Sequence, residues 1–118
     1  MKTKPLAIAI VFFSTLFTAA GQILFKFSSR SLFLSPFFLN IEFIIGVSFY
    51  IFGAILLIIA LKYGELSILY PIYSLSYVWV SLASPYFFPS DEMNAIKWFG
   101  ILLIILGVSF IAKGSQNG

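Results

Sequence analysis

Four apolar stretches divide the chain. Pro5 to Phe25, Phe43 to Leu61 and Leu66 to Ser90 contain no charged residue, and Ala95 to Ala112 contains only Lys97, near its start. A bilayer core about 30 Å thick is crossed by roughly 20 helical residues rising about 1.5 Å each, and every stretch meets or nearly meets that length. A closed β-barrel is the other structure that satisfies its backbone inside hydrocarbon, but its strands alternate polar and apolar residues. Ile55-Leu56-Leu57-Ile58-Ile59 and Ile101-Leu102-Leu103-Ile104-Ile105 do not alternate. The pattern therefore predicts an all-α membrane protein, a single domain over residues 1–118 with four transmembrane helices packed as a bundle, at about 5–27, 41–62, 66–88 and 95–112. The connections are short: Ser28 to Asn40 with Pro36 inside it, Lys62 to Glu65 with Gly64, and Pro89 to Asn94 with Asp91 and Glu92. The tail from Lys113 to Gly118 is expected to fray.

Small residues recur every seven positions. The first helix has Ala7, Ser14, Gly21 and Ser28; the second Gly46, Gly53 and Ala60; the third Ser67, Ser74 and Ser81; the fourth Gly100, Gly107 and Gly114. Seven residues are nearly two helical turns, so each set forms one stripe. Lipid supplies no hydrophobic force between helices, so close approach at small side chains is expected to hold the bundle together. The polar side chains also fall on faces. Thr18, Gln22 and Lys26 follow one another at four-residue spacing, with Thr15 nearby; Tyr70, Ser74, Tyr77, Ser81 and Ser84 form one line on the third helix, with Tyr73 and Trp79 off it. For the hydroxyls the plain alternative is back-bonding to the helix's own carbonyls. For Gln22 and the tyrosines a polar cavity is expected, because polar groups in hydrocarbon find partners or line water. Pro71 removes a backbone donor and predicts a kink.

Composition narrows the chemistry. The apolar fraction is 61% and the charged fraction 9%, and there is no Cys and no His. That removes thiolate nucleophiles, imidazole bases and the common zinc ligands, so no enzyme, cofactor or metal centre is expected. A net charge of +3 is too small and scattered for a nucleic-acid surface. All four acidic residues, Glu42, Glu65, Asp91 and Glu92, lie near helix ends, whereas proton-coupled export calls for an ionisable group at depth. Lys26 closes the uncharged part of the first helix. It is either a snorkelling lysine at a helix C-terminus or a point charge for an anionic head group such as a lipid phosphate, with Arg30 assisting. Lys2, Lys4, Lys62 and Lys113 share one side and Lys26, Arg30 and Lys97 the other, a slight bias toward cytoplasmic termini. Lys2, Lys4 and Thr18-Ala19-Ala20 imitate a secretory signal, but the apolar run continues past that site to Phe25 and more membrane helix follows.

Three segments carry a family resemblance: Ala20-Gly21-Gln22-Ile23-Leu24-Phe25-Lys26-Phe27; the stretch from Gly64 to Leu82, above all Tyr70-Pro71 running into Val78-Trp79-Val80; and Lys97-Trp98-Phe99-Gly100 with Leu103 to Val108. Together they resemble the four-helix, EamA-like members of the drug/metabolite transporter superfamily, most closely the small subunits of the undecaprenyl-phosphate aminoarabinose flippase. The small multidrug resistance transporters are a weaker match. Their helix one carries an essential Glu where this chain has Thr18, and their helix-three Trp falls at Tyr73. The resemblance implies half of a dimeric transporter, a homodimer or a heterodimer with a paralogous four-helix subunit, that moves a lipid-linked sugar phosphate or similar amphiphile through the bilayer. The expected substrate-binding residues are Thr18, Gln22, Lys26, Arg30, Tyr70, Tyr73, Ser74 and Tyr77. Export of small drug-like or metabolite molecules, and a non-transporting accessory membrane subunit, are the alternatives.

Overall fold

The structure, a computed structural model, describes residues 3–29 and 40–117. It contains α1 (Pro5–Ser29), α2 (Ile41–Ala60), α3 (Leu66–Tyr73), α4 (Leu75–Phe87) and α5 (Ala95–Asn117). α3 and α4 together make one span, so the described residues include four helices long and apolar enough to cross a membrane. Large apolar side chains such as Phe13, Ile51, Ile58, Leu103 and Phe110 point outward. An outer surface of that kind suits hydrocarbon and not water.

α1 is the central element. It lies along α2 for most of its length and also packs against α3 and α4, while α5 leans on α3 and α4. The small-residue stripes of α1 and α2 meet here: Ala7, Ser14, Gly21 and Ser28 are buried on one helix and Gly46, Gly53 and Ala60 on the other. A Cβ added to Gly21 would lie 2.8 Å from the Gly46 carbonyl oxygen and 3.1 Å from the Tyr50 nitrogen. A Cβ on Gly53 would lie 2.5 Å from Thr18 Oγ1. These distances leave no room for a methyl group, so the two backbones are as close as glycine permits.

The stripes expected on the other helices behave differently. Gly100, Gly107 and Gly114 have nothing within 4 Å of an added Cβ, and Ser67 is exposed. The expectation that small residues hold the bundle together is therefore met by α1 and α2 and not by the glycines of the fourth span. α5 is attached at the edge of the sheet of helices and turns its glycines away from the other elements.

Each end has its own fastening. At one, Thr3 is buried and its hydroxyl accepts from the Glu65 backbone N–H at 3.1 Å, capping α3 where Glu65 itself gives no side-chain cap. The Lys4 N–H donates to the Tyr63 carbonyl at 3.0 Å, and Ala7, Val11, Ala60, Leu69 and Ile72 form a buried apolar cluster beside it. At the other, Asn40 caps α2 by accepting from the Phe43 N–H at 3.0 Å and donates to the Ser28 carbonyl at 3.3 Å. The kink expected from Pro71 is a full break at Ser74, three residues on, where the Ser74 hydroxyl donates to the Pro71 carbonyl. The tail expected to fray continues as helix to Asn117; no proline follows Ala95, so the hydrogen-bond ladder runs on past the apolar stretch.

Gly21→Ala and Gly53→Ala are expected to lower unfolding free energy in mixed detergent by about 1–3 kcal/mol, the usual result of overpacking. Gly107→Ala should change it by no more than about 1 kcal/mol, toward stability, because only helix propensity changes. Circular dichroism during a denaturing-detergent titration separates the two classes.

Candidate functional site

The break at Ser74 lies opposite the middle of α1. Thr18, thirteen residues into that helix, is about 20 Å along its axis at 1.5 Å per residue, near mid-membrane. Its side chain is buried and shares a hydrogen bond of 2.5 Å with the Tyr73 hydroxyl. Around this pair lies a cavity of about 230 Å³ lined by Thr18, Gln22, Tyr50, Tyr70, Pro71, Tyr73, Ser74, Ser76 and Tyr77. Six of the eight expected binding residues thus come together in one place. None of the lining residues is charged. Four phenol rings with their hydroxyls, a carboxamide and small hydroxyls can stack on and hydrogen-bond to a neutral polar group.

Tyr73 and Trp79, off the expected line, are the residues that reach α1: Tyr73 meets Thr18, and the Trp79 indole N–H donates to the Thr15 hydroxyl at 2.9 Å. Tyr70 and Tyr77, on the line, stand about 60% exposed at the cavity's outer side. Ser76, three residues on from Tyr73, also enters the lining. Tyr50 was missed, although it sits at four- and three-residue spacing between Gly46 and Gly53 on the same α2 stripe. The hydroxyls divide between the two expected behaviours. Thr15, Ser28, Ser48, Ser74 and Ser109 bond back to carbonyls of their own span, while Ser14 crosses to the Gly53 carbonyl at 2.6 Å.

Lys26 does not line this cavity. It lies two turns further along α1, where its ammonium donates to Asp91 Oδ2 and sits 4.8 Å from the Phe88 ring centre. Ser84 Oγ donates to the same carboxylate oxygen at 2.6 Å. Lys97 donates from its ammonium to the Glu92 carbonyl at 2.6 Å. Asp91, in the connection between α4 and α5, was expected only as a loop charge. Arg30, the remaining expected residue, lies outside the described residues.

No known family profile and no solved structure matches the chain. It is 36% identical over 112 residues to the uncharacterized protein y4nH of Sinorhizobium fredii, across 91% of this chain and 95% of that one. This chain belongs to the y4nH family. The match runs over nearly the whole of both chains.

The hydrogen bond from Lys26, followed by that from Ser84, holds the Asp91 carboxyl below its ordinary value. A carboxylate whose pKa is depressed by folding stabilises the fold above its unfolded value of about 3.9 and loses that contribution as pH falls through the lower, folded value. The carboxyl carbon of Asp91, followed by NMR in micelles, should therefore titrate below pH about 3.9, and in Lys26→Ala its midpoint should move back up toward that value.

Proposed function

We propose that this chain is a subunit of an EamA-like membrane transporter that carries a lipid-linked sugar phosphate, or a similar amphiphile, across the bilayer. The observation that supports this best is the uncharged, tyrosine-rich cavity at mid-membrane, on the same helix as Lys26 two turns away. A neutral sugar finds hydroxyls and flat rings at depth, a phosphate finds a lysine near the surface, and a lipid tail stays among the exposed apolar side chains.

Size favours a head group over a drug. The cavity of about 230 Å³ is smaller than the roughly 300–1,000 Å³ of drug-sized sites. The absence of a carboxylate from its lining also argues against proton-driven export of cations. In this reading two four-span units form one pathway. The unit measures 52 × 34 × 15 Å, too thin to enclose a passage, and two units facing each other would close it. A second copy or a paralogue fills that role, with two-fold pairing the usual oligomer. In this reading the slight lysine bias, four against three, favours cytoplasmic termini.

Purified protein in proteoliposomes should move a labelled short-chain polyprenyl-phosphate sugar faster than protein-free vesicles do. Lys26→Ala should reduce the rate tenfold or more while the protein stays folded, because a solvent-exposed ion pair adds little to stability. A wild-type rate in that variant removes Lys26 from the mechanism. If Tyr77→Phe with Ser81→Ala leaves every transport readout unchanged, the accessory-subunit reading replaces this one.

A further inference from the structure

We infer that the Asp91 carboxylate occupies, in the empty protein, the place of a ligand phosphate, so that a phosphate-bearing head group binds by displacing Asp91 from Lys26 and Ser84. This inference deepens the transport reading and rests on it for the identity of the ligand, but not for the geometry.

Three features carry it. Lys26 and Ser84, from different spans, both donate to one oxygen, Asp91 Oδ2. That convergence of an ammonium and a hydroxyl is what a phosphate oxygen requires. A cavity of about 180 Å³ adjoins that carboxylate, lined by Val80, Ser81, Ser84, Asp91, Met93 and Lys97. It provides space for an anion larger than a carboxylate, with a second lysine and a second hydroxyl at its wall. Among the described residues the Lys97 ammonium donates to a backbone carbonyl, that of Glu92, an acceptor that water can replace.

The pair is also placed for exchange. The Lys26 and Asp91 side chains are 44% and 33% exposed, so neither must cross a dry barrier to part. The connection does not need the carboxylate to keep its shape: the Asp91 N–H donates to the Phe88 carbonyl at 2.9 Å, and Asn94 caps α5 by accepting from the Lys97 N–H at 2.9 Å. A phosphodiester brings one negative charge and Asp91 removes one, so the swap leaves the local charge unchanged. Asp91 would then keep Lys26 oriented when no ligand is present and compete with weak anions.

The test measures binding, independently of translocation. Wild type, Asp91→Asn and Asp91→Ser, each with and without Lys26→Gln, are reconstituted in nanodiscs and titrated with farnesyl phosphate and separately with inorganic phosphate. Removing the competing carboxylate should tighten farnesyl phosphate binding about tenfold in both Asp91 variants, and the gain should vanish with Lys26→Gln. A parallel gain for inorganic phosphate assigns the site to phosphate alone; a gain confined to farnesyl phosphate assigns it to a lipid head group. Either pattern supports displacement. Unchanged or weaker binding in both Asp91 variants, or a gain that survives Lys26→Gln, overturns it. If wild type moves the sugar lipid and the Asp91 variants show no gain, the displacement idea alone fails. If the gain appears and no sugar lipid moves, the transport reading alone fails.

Discussion

At Gly21 the α1 backbone touches the α2 backbone, with the Gly46 carbonyl where a side chain would otherwise begin. In hydrocarbon this contact has to do what water does for a soluble core, because lipid tails solvate leucine as well as protein does. Dispersion between closely fitted surfaces and a few hydrogen bonds, such as Ser14 to the Gly53 carbonyl, are what remain. Both depend on small residues, and both fix the rotation of α1 about its axis. That rotation sends Thr15 and Thr18 toward the third span, and the polar chemistry of the protein depends on it.

From that fixed helix the structure divides along the membrane normal. The end with Thr3, Tyr63 and Glu65 is closed by a buried apolar cluster and a capped turn. The middle is opened by the break at Ser74, which separates α3 from α4 and leaves tyrosines and serines around a void. Tyr73, just before that interruption, reaches back to Thr18, while Tyr70 and Tyr77 flank the opening.

The far end is electrostatic. Lys26, Asp91 and Ser84 tie the end of α1 to α4 and its following connection, close enough to the surface that solvent weakens the pair and a competing anion can reach it. α5 sits at the edge, and among the described residues nothing lies within 4 Å of a Cβ added to its glycines.

Length and hydropathy by themselves determined that the chain has four membrane-crossing helices, because the cost of leaving backbone groups unsatisfied in lipid admits few solutions. Seven-residue spacing marked the packed faces of α1 and α2, and four-residue spacing placed Thr18 and Gln22 on one side. Tyr73, Ser76 and Trp79 form one three-residue line and Tyr70, Ser74 and Tyr77 another, and spacing alone could not say which of them faces α1. Nor could it distinguish the glycines of α2, which meet another backbone, from those of α5, which do not: a stripe of small residues reads the same whether or not a neighbour exists. The pairing of Lys26 with Asp91, 65 positions apart, belongs to the tertiary structure alone, since only the packing of α1 against α4 brings the two side chains to one point.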